Sequence, residues 1–112
     1  MKTIDLVKAL DLKVYSGKDF LNAEVSGGYV SDLLSDVMGN AQEGQVWITL
    51  QTHKNVMAVA SLKDLPAIIV VKGYKPDEDT MKKSEEEQLP ILGTDLDTFT
   101  ICGRLFELLN KQ

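Results

Sequence analysis

The sequence is short of several things at once. It holds one cysteine, one histidine, one tryptophan and three prolines in 112 residues. A lone Cys102 excludes an internal disulfide and a thiolate metal site. No apolar run reaches the length of a bilayer span. The N-terminus, Met1 to Asp5, does not read as a signal peptide, because Asp5 and Lys8 interrupt any apolar core there. Positive charge is also scarce. Seventeen acidic residues stand against 12 basic ones, a formal net charge of −5, and no basic patch breaks the pattern. Binding to nucleic acid or to an anionic membrane is therefore not expected. There is no linker, low-complexity segment or internal repeat. The expectation is one cytoplasmic domain spanning 1–112.

What remains is an ordinary globular balance, 44% hydrophobic and 26% charged, enough for one core. Apolar spacing predicts a short helix over 3–10 and a strand over 12–15, closed by Ser16-Gly17. Residues 23–25 read as an extended piece broken by Gly27-Gly28. Ser31 is expected to cap a helix over 32–38 that Gly39-Asn40 ends. From residue 46 the rhythm becomes regular. Val46–Leu50 is rich in β-branched and aromatic residues, as strands favour. A helix follows over about 55–64, stopped by Pro66. Ala67–Val71 is five apolar residues without alternation, which suits a strand covered on both faces. A charged helix over 77–88, a short strand over 90–92 and a last helix from about 95 to 110 complete the chain, with Thr94 as the expected cap and Asp97 as its capping-box partner. This β-α-β-α-β-α order predicts an α/β fold with a mostly parallel sheet of four to five strands and helices on both faces.

In such a sheet, ligands bind beyond the carboxyl ends of the strands. The ends expected there are Gly27-Gly28, Thr52-His53-Lys54-Asn55, Lys72-Gly73 and Thr94. Together they offer donors, glycines and two lysines to a small anionic ligand or a nucleotide. Helix starts near Asn55 and Asp95 would add free backbone N–H groups. Each corner alone has a plainer explanation, since βα turns use Gly, Thr, Asn and Asp for caps and positive φ. His53 has no second His or Cys, and no acidic residue lies between Glu43 and Asp64. That argues against a metal and for a corner-ordering role; an enzymatic His53 would need Asp32 or Asp95 to orient it. Gly39 to Gly44 spells G-x-x-x-x-G. The Lys and Ser or Thr of a phosphate-binding P-loop are missing, because Gln45-Val46 follows, and the motif precedes a strand instead of following one. No motif calls for a cofactor.

The last helix carries two apolar lines, Phe99-Cys102-Phe106-Leu109 and Ile101-Leu105-Leu108. A surface helix normally needs one. The second line, and the sparse polar surface of the 56–62 helix, predict a homodimer. The acidic stretch 77–87 reads as a solvated helix face with local ion pairs of small value.

Three segments, VSGGYVSDLLSDVMGNA (25–41), WITLQTHKNV (47–56) and IVVKGYKPDE (69–78), resemble the DRTGG domain family over nearly the whole chain. They are most similar to small members likened to the N-terminal domain of the kinase that phosphorylates the sugar-transport phosphocarrier protein. The literal string Asp-Arg-Thr-Gly-Gly is absent, and Lys72-Gly73 stands where relatives carry a glycine pair. The resemblance implies a three-layer α/β domain that tends to dimerise. It implies a regulatory module, found in relatives beside phosphate acetyltransferases or, with nucleotide-sensing CBS domains, beside pyrophosphatases. In the kinase relative the P-loop lies in a separate domain, so the resemblance implies no kinase activity here. The expected function is a non-catalytic regulatory or ligand-binding homodimer; the alternative is a protein-interaction subunit of a larger metabolic complex, without a small-molecule ligand.

Overall fold

Alternate residues along the central strands feed two separate hydrophobic cores, and that alternation organises the molecule. The structure, a computed structural model, describes residues 1–111. Its five strands are β1 (Lys13–Ser16), β2 (Gly27–Val30), β3 (Gln45–Thr49), β4 (Ile68–Val70) and β5 (Ile91–Gly93). They form one sheet in the order β1-β5-β4-β3-β2. β2, β3, β4 and β5 run parallel, and β1 joins β5 antiparallel. Val46, Ile48, Ile69 and Leu92 point to one face, where α1 (Thr3–Leu10) and α5 (Thr98–Asn110) cover them with Leu6, Leu10, Ile101 and Leu105. Trp47, Ile68, Val70 and Ile91 point to the other, under α2 (Leu34–Asn40) and α3 (Asn55–Leu62). α4 (Glu78–Glu87) packs beside α3 and against β1. Three layers result, as the sequence predicts, and β4 is buried at every residue because both of its faces are covered.

Several local expectations are corrected. Gly27-Gly28 does not interrupt a strand; it begins β2, in register with Gln45 and Val46. The extended piece at 23–25 contributes only an isolated bridge, Lys2 to Glu24. The second helix starts at Leu34, later than expected, because Asp32 is engaged elsewhere. Its Oδ1 accepts from Thr49 Oγ1 and from the Leu50 N–H, both at 2.8 Å. Ser31 Oγ accepts from the Leu33 N–H at 3.1 Å and caps no helix. Gly39 and Asn40 lie within α2, neither with positive φ, and the chain leaves through extended Ala41. The last helix is capped by Asp97, whose Oδ1 accepts from the Thr100 N–H, and not by Thr94. Thr94 Oγ1 instead accepts from the Leu96 N–H in the preceding turn.

Three tests follow from this packing. Gly17 has φ +79°, and an added Cβ would sit 2.5 Å from the Pro90 backbone. Gly17→Ala combines left-handed strain with overpacking and lowers the unfolding free energy by about 2–4 kcal/mol in urea titration. Gly39→Ala, helical with open space around it, raises it by about 0.5–1 kcal/mol in the same assay. Thr49 is 1% exposed, so Asp32→Ala strands a buried hydroxyl and costs about 1–2 kcal/mol, with Asp32→Asn recovering part of the loss.

Candidate functional site

Three adjacent parallel strands, β3, β4 and β5, deliver their carboxyl ends to one edge of the sheet. That edge carries seven of the nine residues singled out from the sequence. From β3 come Thr52, His53, Lys54 and Asn55; from β4, Lys72 and Gly73; from β5, Thr94. Gly27 and Gly28 do not join them, because β2 begins with these glycines and they lie at the opposite end of the sheet. The carboxyl end of β2 instead presents Ser31 and Asp32, which pattern reading assigned to a helix start. The signal missed was the length of β2: a strand through the glycine pair moves its end four residues on.

The loops are held by their own hydrogen bonds. The Thr52 carbonyl accepts from Thr80 Oγ1 at 2.7 Å and from the Asp77 N–H at 3.2 Å, which docks the start of α4 on this corner. Gln51 Nε2 donates to the Asp32 carbonyl at 2.8 Å. Lys72 and Gly73 both adopt positive φ, 61° and 72°. That turn lets their N–H groups reach the Leu96 and Thr94 carbonyls at 2.9 Å each, joining the β4 and β5 loops. Glycine adopts this conformation without penalty; Lys72 does so at some cost.

His53 is exposed, and its Nδ1 accepts from the Asn55 N–H at 3.2 Å. An accepting Nδ1 carries no proton, so in this arrangement the ring proton sits on Nε2. Neither Asp32 nor Asp95 orients the ring: Asp32 holds Thr49 and Leu50, and Asp95 holds Lys13 Nζ at 3.1 Å. His53 thus orders the entry to α3. The expected free amides at that helix start are also taken. The Val56 N–H bonds the His53 carbonyl and the Met57 N–H the Lys54 carbonyl.

Electrostatics at the edge are mixed. Lys54 and Lys72 are exposed and make no ion pair among the described residues. The hydrogen bond from Thr100 holds the Asp97 carboxyl below its usual range, with a smaller contribution from the charge of Lys72. The hydrogen bond to Asp95 raises the Lys13 ammonium. At the other end of the sheet, burial pushes the Cys102 thiol up, which disfavours the thiolate nucleophile. No group of three or more His, Cys, Asp or Glu among the described residues could hold a metal ion, and no helix among them is long and apolar enough to cross a membrane.

Gly27 and Gly28 belong to a different feature. With Val30, Cys102, Leu105 and Phe106 they line an open groove of about 400 Å³ between β2 and α5.

Known proteins place this architecture. The DRTGG domain profile matches residues 5–108. The HPr kinase/phosphorylase of Levilactobacillus brevis is 29% identical over 96% of this chain and 40% of its own length. Among solved structures, the CBS and DRTGG domains of the regulatory region of Clostridium perfringens pyrophosphatase, complexed with the activator diadenosine tetraphosphate, superpose with a TM-score of 0.65. That match is 16% identical and covers 91% of this chain and 44% of the other. The chain spans less than half the length of either protein. With the profile running from Asp5 to Leu108, the chain belongs to the DRTGG domain family.

Proposed function

We propose that the chain is a non-catalytic regulatory domain that works as a homodimer and binds a small phosphorylated ligand, of the nucleotide class, along the carboxyl edge of its sheet. The observation that carries this reading is the meeting of three strand-end loops with two exposed lysines, Lys54 and Lys72, at one polar edge. An ammonium on a flexible stem suits phosphate oxygens. The Lys72-Gly73 turn and the Thr94 loop are already tied together, so little backbone ordering is left for binding. The pyrophosphatase regulatory region, which shares the fold, is in complex with diadenosine tetraphosphate, and this supports a dinucleotide as the first ligand to try. The groups that catalysis would draw on are committed to structure: His53 to a helix start, Asp32 and Asp95 to neighbouring loops, and the Cys102 thiol half-buried.

The test is calorimetric titration with ATP, AMP and diadenosine tetraphosphate. At least one binds below millimolar, and at a hundredfold excess over Kd it stabilises the fold by about 2.7 kcal/mol. Lys54→Ala and Lys72→Ala each weaken binding by about tenfold, a loss of about 1.4 kcal/mol, while unfolding free energy stays within about 0.5 kcal/mol of the parent. Absence of heat with all three compounds sinks the ligand reading and moves the weight to a protein-interaction subunit.

A further inference from the structure

The sheet has two edges, and they are built differently. β1 carries Lys13 and a register irregularity between Val14 and Ser16. Both features blunt an edge against further pairing. β2, Gly27-Gly28-Tyr29-Val30, has neither a lysine, a proline nor a bulge, and pairs with β3 in unbroken register. The Ser31 N–H bonds the Ile48 carbonyl. Strand direction alternates with a period of two, so Tyr29 also turns its backbone groups to β3 while Gly28 and Val30 turn theirs outward.

Apolar surface sits beside that edge. Val30 is 50% exposed, Phe106 71% and Phe99 87%. The two phenylalanines are seven residues apart and so share one face of α5. Gly103 lies between them with open space where a side chain would be. On the far side, α5 is already flanked by α1. A Cβ on Gly28 would point to Leu105 and Ile48, so Gly28 and Val30 share the face that α5 covers.

From this edge the geometry points to its occupant: a second copy of the chain, adding its own β2 antiparallel across a two-fold axis through Tyr29. This rests on the dimeric half of the reading above and assigns it a surface. Pairing Gly28 with Val30 of the second copy, and Val30 with its Gly28, joins outward-facing residues as hydrogen-bonded pairs and closes four backbone hydrogen bonds. Each Val30 then lies opposite a glycine, in the groove of about 400 Å³ beside Leu105 and Phe106. The strand is its own complement: one position lacks a side chain where its mate needs room. The area is in proportion. The exposed parts of Phe99 and Phe106 supply on the order of 300 Å², against ~800 Å² per partner in a standard interface. Val30, the glycine edge and the groove lining supply more.

Sedimentation equilibrium of the full chain across the micromolar range reads the outcome. The parent is a dimer. Val30→Lys and Phe106→Glu, both at exposed positions, each raise the dimer dissociation constant by about tenfold or more. Leu62→Glu, on an exposed apolar residue of α3 away from the edge, leaves it unchanged. Tyr29→Cys in a Cys102→Ser background oxidises to a covalent dimer, because the central pair lies ~4.5 Å apart at Cα, within disulfide reach. A dimer that survives both edge substitutions and forms no disulfide overturns the assigned surface and leaves the dimeric reading standing. A dimer lost equally with Leu62→Glu also overturns the surface. A parent monomeric throughout overturns both.

Discussion

Everything in this fold depends on burying both faces of β3, β4 and β5 at once. Trp47, Ile68 and Ile91 fill one face and Ile48, Ile69 and Leu92 the other, each at most 1% exposed. A strand buried on two faces has nowhere along its length for a polar side chain. Polar chemistry is displaced to the strand ends, where the backbone also changes direction. The edge bearing Thr52–Asn55, Lys72-Gly73 and Thr94 is thus the place the core leaves open, before any ligand is considered. Thr49, buried near that edge, confirms the rule by its exception: it is tolerated because its hydroxyl donates a hydrogen bond to Asp32.

The second consequence concerns cover. Three helices lie over one face of the sheet and two over the other. Two helices, about 10 Å wide each, only just span five strands at ~4.8 Å spacing. β2 lies at the margin of that cover: α5 packs Leu105 close over Gly28 and leaves an open groove beside Val30 and Phe106. An apolar helix flank, an exposed valine and an unblunted strand edge meet at this margin of the sheet. A coat of lysines on β2 would have resolved it in favour of solvent, as Lys13 does on β1.

How much of this the sequence shows depends on the range of the interaction that decides each point. Ala67–Val71 declared itself by composition alone, and α3, α4 and α5 by spacing and by Pro66 and Pro76. Their boundaries fall within about two residues of the pattern reading, except the start of α5, which lies three residues later than expected. The failures cluster between residues 23 and 41. Gly27-Gly28 carries a local signal for a break, and strand pairing to Gln45 and Val46 overrides it. Asp32 looks like a first-turn helix acid, and a contact 17 residues away takes it. Thr94 and Asp97 are both good caps on paper. The choice between them was made by Lys72 and Gly73, whose N–H groups pull the Thr94 to Leu96 turn onto β4 and push the helix start back to Thr98. Seven of the nine candidate residues were placed together because strand ends in a parallel sheet share an edge whatever their sequence; two were misplaced because one strand's existence was misread.

That misreading carries a physical lesson about the edge and the end of β2. The strand runs from Gly27 to Val30; of the residues that follow, Ser31 bonds Trp47 and Ile48, and Asp32 clasps Thr49, Leu50 and Gln51. The loop so clasped leads directly into Thr52–Asn55. Position at the sheet edge and position of the polar corner are therefore fixed by one short stretch of chain. Proximity alone transmits nothing: a ligand changes association only through a difference in its affinity for the two states. The stretch nevertheless limits where such a difference could arise. Asp32 reaches the polar corner through the Leu50 N–H and the Gln51 side-chain amide, and it lies two residues from Val30. With Thr49 buried and its hydroxyl dependent on that carboxylate, detaching Asp32 would strand a buried donor.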